Sequence, residues 1–105
     1  MIIGVPRETH RHEHRVALTP SAVSRLNKWG HTVVVEKNAG RRAHFSDQRY
    51  ENAGAQIVYS SEEAYKRADL VCRVGRISTD ELDLLRPGST VCAWQHLAVA
   101  PRQNV

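Results

Sequence analysis

The side chains best suited to chemistry lie in the first twenty residues, in the runs G-V-P-R-E and E-H-R-V-A-L-T-P. Arg15 in the second run is either a surface cation or a ligand for an anion. Its planar guanidinium can give two parallel hydrogen bonds to a carboxylate. His10, His12 and His14 form H-x-H-x-H between Glu8, Glu13 and Arg15. On a strand, alternate histidines share a face and suit zinc. Here the segment is polar, and Arg11 and Arg15 repel a cation, so it reads as a solvated loop without a metal. Glu8 and Glu13 read as carboxylates that orient the loop's cations. Far along the chain, Arg73 and Arg76 bracket Val74 and Gly75, and His96 follows the last apolar run. Cys72 and Cys92 sit in strand-like runs with no C-x-x-C pair, and read as two buried, reduced thiols.

These residues need elements to position them, and strand and helix signals alternate along the chain. Ile2 to Val5 is a short buried strand stopped by Pro6. Thr19-Pro20 opens a helix to Trp29, with Thr19 as N-cap and Pro20 at the first helical position. Val23, Leu26 and Trp29 are expected on its inner face, and Gly30 ends it. Thr32 to Val35 is β-branched throughout and reads as a parallel strand. Asn38 to His44 is a glycine-containing loop, and Ser46 caps a short helix through Ala53. Gln56 to Tyr59 is the third strand. Ser60-x-x-Glu63 and Ser78-x-x-Glu81 are capping-box patterns, each opening a helix. Leu82 and Leu85 are expected to point inward from the second of these. Leu70 to Val74 and Thr90 to Gln95 complete the strands.

The predicted fold is therefore α/β in three layers. A five-stranded parallel sheet in flavodoxin-like order 2-1-3-4-5 carries helices on both faces. Arg15 and His96 then share the carboxyl edge of the sheet, where ligands bind in open parallel sheets. None of the 6 glycines forms G-x-G, so a dinucleotide is not expected on this domain in the usual way.

With 105 residues the chain suffices for one domain, and 41% hydrophobic and 25% charged residues are ordinary for a globular one. The net charge is +4, but the cations are dispersed and the aromatics are not interleaved with them, so nucleic acid is not an expected partner. No apolar run is long enough for a membrane span. No basic stretch followed by an apolar core marks a secretory signal, so a cytoplasmic location is expected. Residues 99–105 lack periodicity and read as the start of a linker.

The stretches G-V-P-R-E, E-H-R-V-A-L-T-P, G-H-T-V-V-V-E, Y-E-N-A-G-A-Q-I-V, A-D-L-V, L-R-P-G-S-T and H-L-A together resemble one pattern. It is that of the N-terminal domain of the alanine dehydrogenase and proton-translocating NAD(P) transhydrogenase family. The resemblance covers residues 1–98 and is closer to alanine dehydrogenase, because the transhydrogenase subunit lacks the histidine of H-L-A. It implies that residues 1–105 are the substrate-side domain of an NAD-dependent oxidoreductase acting on a small amino or 2-oxo acid. NAD would sit on a Rossmann domain in the same or another chain, and the 105 residues alone would be inactive. A homo-oligomer is expected. The resemblance also implies that Arg15 binds the substrate carboxylate and that His96 is the catalytic acid/base.

In one place the pattern breaks. The family reads K-V-K-E-P where this chain reads Arg73-Val74-Gly75-Arg76-Ile77. Glycine stands where the family's substrate-contacting lysine belongs, which makes Arg73 and Arg76 substitute candidates for binding substrate. The alternatives are a non-catalytic carboxylate-binding or regulatory domain that kept the fold, or a transhydrogenase alpha-subunit-like domain.

Overall fold

The computed structural model describes residues 1–93 and the backbone of His96–Val99. Strand β1 is Ile2–Val5, followed by helix α1 (Pro20–Lys28) and strand β2 (Thr32–Glu36). A single 3₁₀ turn at Arg41–Ala43 leads to α2 (Asp47–Asn52) and β3 (Gln56–Val58). Then come α3 (Ser61–Arg67), β4 (Leu70–Arg73), α4 (Thr79–Leu82), β5 (Thr90–Ala93) and β6 (His96–Val99).

The local signals act as their chemistry requires. Thr19, Ser46, Ser60 and Ser78 each accept a backbone N–H from the first turn of the helix they precede. At Ser78 the bond is reciprocated by Glu81, closing the capping box. Gly30 takes φ 91° just beyond α1, a left-handed conformation in which a Cβ is strained.

The parallel α/β expectation holds, while the order of the strands differs from 2-1-3-4-5. The five parallel strands run β3-β2-β1-β4-β5, and β6 adds antiparallel to β5. Edge strands of a sheet tend to be short and polar. β3 fits that description, with only 3 residues and an exposed Gln56. The chain continues outward from β2 to β3, and α3 then crosses back to set β4 beside β1. Gly4 in β1 permits this crossover. A Cβ there would stand 2.6 Å from the Ala64 carbonyl oxygen and 2.9 Å from the Ala68 Cβ. The Asp69 N–H donates to the Ile2 carbonyl at 2.7 Å, and the Ile2 N–H donates to the Asp69 carboxylate at 2.7 Å, fixing the new pair.

Two layers of helix cover the sheet. On one face α1 and α2 pack Val23 and Tyr50 against Ile3, Val5, Val33 and Val35. On the other, α3 and the segment after α4 pack Tyr65, Ala68 and Leu85 against Val71 and Val91. Three inward-pointing expectations fail. Trp29 is the C-cap of α1 and 73% exposed, because the helix ends one residue earlier. Leu82 is exposed, since α4 is a single turn and only Leu85 reaches the core. Cys92 is exposed rather than buried, because α1 and α2 lie over β1 to β3 and do not extend over β5. No described helix is long and apolar enough to cross a membrane.

Candidate functional site

The reversal of strand order falls between β1 and β4, where the crossovers diverge and leave a crevice at the carboxyl ends. The loop after β1, residues 6–19, rises from this edge and is anchored from beneath by Glu8. One Glu8 oxygen accepts the Val74 N–H at 3.0 Å, and the other accepts the Gly75 N–H at 3.0 Å and Arg73 Nε at 3.2 Å. This carboxylate is buried, and it ties the β1 loop to the end of β4.

Arg73 is 1% exposed and committed to protein partners. Besides Glu8, its Nη1 donates to the Tyr65 hydroxyl at 2.5 Å and to Glu81 Oε2. The Tyr65 hydroxyl donates to the same Glu81 oxygen at 2.7 Å. Burial works against the charge of Arg73, but Tyr65, Glu8 and Glu81 outweigh it and hold the guanidinium protonated. Burial likewise pushes the Glu81 carboxyl up. The Tyr65 hydroxyl, the Ser78 N–H and Arg73 outweigh that, and the net displacement is downward. Tyr65 is pushed well above the usual phenol range, chiefly by burial. Arg73 is thus the centre of a buried network, not a side chain extended toward a ligand as expected from the sequence. Nothing in the sequence pattern around Glu8, Tyr65 and Glu81 marks them as its partners, which come from three separate elements.

Among the described residues, two clefts flank the β1 loop. The one at the strand-order reversal, about 650 Å³, is lined by Thr9, His10, Glu13, Arg73, Gly75, Arg76, Ile77, Ser78 and Glu81. The other, about 380 Å³, lies toward β2 and is lined by Arg7, Glu8, Glu13, Arg15, Asn38, Ala39, Arg41 and Arg42. Glu13 belongs to both, whereas Arg15 and Arg76 line different clefts. Arg15 is exposed and held by Glu13, with Nε to Oε2 at 2.9 Å and Nη2 to Oε1 at 3.1 Å. These bonds hold the Glu13 carboxyl at about 2 and raise Arg15 further. Arg76 is exposed, and no ion pair to it occurs among the described residues.

Arg42 was not singled out by its sequence context, yet it shapes the loop. Its Nη1 donates to the carbonyls of His10 at 3.2 Å, Arg11 at 3.1 Å and Glu13 at 3.3 Å. The segment that carries Arg42 is held close by Gly40, where a Cβ would lie 2.6 Å from the Tyr50 ring. The Tyr50 hydroxyl in turn donates to the Leu18 carbonyl at 2.8 Å.

A Cβ at Gly75 would meet only Glu8 Oε1, at 3.4 Å, an ordinary contact. His96 is the first residue of β6 and the register partner of Ala93 at the carboxyl end of β5. Its side chain lies outside the described residues. Among the described residues no group of three or more His, Cys, Asp and Glu is arranged to hold a metal. The turn after β1 begins at Pro6 rather than at a glycine pair, and Gly4 lies within the strand against α3.

Together these features define a doubly wound α/β domain with clefts at the carboxyl edge of the sheet. Residues 4–105 match the family described as "Alanine dehydrogenase/PNT, N-terminal domain", and the chain belongs to that family. Alanine dehydrogenase of Bacillus subtilis is 41% identical over 101 residues, covering 96% of this chain and 26% of that protein. NAD(P) transhydrogenase subunit alpha of Cereibacter sphaeroides is 39% identical over 94 residues, covering 90% of this chain and 18% of that subunit. A solved L-alanine dehydrogenase superposes with a TM-score of 0.81 at 39% identity, over 89% of this chain and 26% of that one. The chain therefore spans about a quarter of the length of the alanine dehydrogenases it matches.

Proposed function

We propose that this chain is the substrate-side domain of an alanine dehydrogenase-like, NAD-dependent oxidoreductase acting on a small amino or 2-oxo acid. Arg15 binds the substrate carboxylate, and His96 exchanges a proton with the substrate. The nicotinamide is brought by an NAD-binding domain in the same or another chain, in a homo-oligomeric, cytoplasmic assembly. Arg73 acts as a positioning residue, fixing the β1 loop through Glu8. Arg76 is the remaining candidate for the cation that Gly75 lacks.

One observation carries this reading. The loop bearing Arg15 stands at the carboxyl edge beside the strand-order reversal, and its exposed guanidinium is held by a single carboxylate, Glu13, that another carboxylate can replace. Calorimetric titration of the chain with pyruvate and L-alanine tests it. Binding that is abolished by Arg15→Ala supports the reading. The absence of binding, or binding indifferent to that substitution, overturns it. Amino-acid-dependent NAD reduction by the chain together with an NAD-binding domain tests the catalytic half of the proposal.

A second reading is favoured by Gly75. A domain that binds carboxylates without turnover, or one serving in a transhydrogenase-like assembly, needs no lysine there. It predicts the same Arg15-dependent binding and no NAD reduction with any amino or 2-oxo acid.

A further inference from the structure

The cleft on the β2 side of the loop carries more positive charge than a single carboxylate requires. Four arginines line it, Arg7, Arg15, Arg41 and Arg42, against two carboxylates, Glu8 and Glu13. Both carboxylates are already engaged. Glu8 is held by two backbone N–H groups and by Arg73, which it shares with Glu81, and Glu13 is held by Arg15. Among the described residues, no carboxylate lies in ion-pair contact with Arg7, Arg41 or Arg42. Residues 94–105 contain no Asp or Glu side chain that could reach them. Arg42 meets backbone carbonyls through Nη1, so its charge is not cancelled.

We infer that this cleft takes the second carboxylate of a dicarboxylic substrate, a 2-oxo or amino diacid, while Arg15 holds the first. The inference rests on the reading of Arg15 as the carboxylate ligand, and it narrows the substrate class. An alanine side chain offers a methyl group, which gains nothing from three unpaired guanidiniums. A second carboxylate gains charge-assisted hydrogen bonds from a planar donor fork. The cleft volume of about 380 Å³ accommodates a four- or five-carbon diacid. Arg41 and Arg42 come from the segment after β2 and Arg7 from the loop after β1, so the two carboxylates of one ligand would bridge the two loops.

Calorimetry of the chain at low salt against 2-oxoglutarate, oxaloacetate, pyruvate and inorganic phosphate tests the inference. Arg7→Gln, Arg41→Gln and Arg15→Ala serve as variants, each checked for native circular dichroism. The expected result is that a diacid binds about tenfold or more tighter than pyruvate, the gain expected of one added charge-assisted contact. That margin should shrink in Arg7→Gln and Arg41→Gln while pyruvate binding is kept, and Arg15→Ala should abolish both. Added salt should reduce the margin, because these arginines are exposed. If pyruvate binds as tightly as the diacids, or phosphate matches them, the inference fails while the reading of Arg15 stands. If no carboxylate binds, the reading of Arg15 fails with it.

Discussion

Glu13 occupies both ends of the Arg15 fork, through Nε at 2.9 Å and Nη2 at 3.1 Å, in the geometry an incoming carboxylate would need. The two residues are adjacent in the loop but for His14, so the pair forms without ordering any distant segment. A ligand must displace Glu13 before it can take the fork. Glu13→Gln removes the competing charge, and carboxylate affinity should rise by at most about fivefold, the range of exposed ion pairs. Calorimetry with pyruvate checks this, and a loss of affinity would show that Glu13 aids binding instead.

The same pair has a small acid signature. The Glu13 carboxyl falls from its ordinary 4.5 to about 2 through hydrogen bonds from Arg15. A depressed carboxyl stabilises the fold above its unfolded value, and that contribution is lost as pH falls from 4.5 through 2. Solvent screens this exposed pair, so the loss is slight compared with that of the buried network.

Arg73 supplies the larger effect. Its removal leaves Glu8 and Glu81 without their cation inside the protein. Arg73→Ala should destabilise the fold by about 3–5 kcal/mol, as for one partner taken from a buried ion pair. Arg73→Lys should recover only part, since one ammonium cannot meet both carboxylates and the Tyr65 hydroxyl in this geometry. The net downward displacement of Glu81 means its contribution is complete above 4.5 and is lost as pH falls through the lower folded value. Urea unfolding from neutral pH to pH 3 should therefore show a steeper acid loss in the native protein than in Glu81→Gln.

Arg42→Ala releases three carbonyls of the β1 loop. The bonds are exposed, so the stability cost should be about 1 kcal/mol. The informative readout is amide hydrogen exchange, with faster exchange around residues 10–14 and no change in β1 or β4. Unchanged exchange in the loop would count against the clamp.

Gly75→Lys tests whether the unusual glycine accounts for any weakness toward monocarboxylates. Its Cβ would meet only Glu8 Oε1, at 3.4 Å, so the variant should fold with near-native stability. Gly75 lines the larger cleft and Arg15 the smaller one, so the added cation should leave Arg15-dependent pyruvate affinity within about twofold. A several-fold rise would show that the bound acid reaches both clefts.

Much of this arrangement was legible in the sequence because it rests on local chemistry. The Thr19, Ser46, Ser60 and Ser78 caps, the β-branched β2 and the strand stopped by Pro6 each depend on a few neighbouring residues. Strand order was not legible in the same way. It is set by the fit of α3 over Gly4, a contact between residues sixty positions apart. The fate of Arg73 was hidden for a similar reason, since Glu8, Tyr65 and Glu81 converge on it from three elements. Arg15 was legible as an anion ligand, but its hold by Glu13 and the neighbouring Arg7, Arg41 and Arg42 required the loops after β1 and β2 to be placed together.

The cysteines give a test of the sheet's uncovered face. Cys72 and Cys92 are register partners on the parallel strands β4 and β5, so their side chains leave the same face. Cys72 packs at the margin of the core under α1 and α2, while Cys92 is exposed beyond their reach. Burial, with a smaller contribution from Cys92, pushes the Cys72 thiol up to about 11. The thiolate is the reactive form, so little of Cys72 is reactive near neutral pH. Mass spectrometry after brief iodoacetamide treatment at pH 8 should find Cys92 alkylated well before Cys72. Urea should abolish the difference, because it removes the burial that protects Cys72. Equal labelling in the native protein would mean that α1 and α2 do not shield β4 as described.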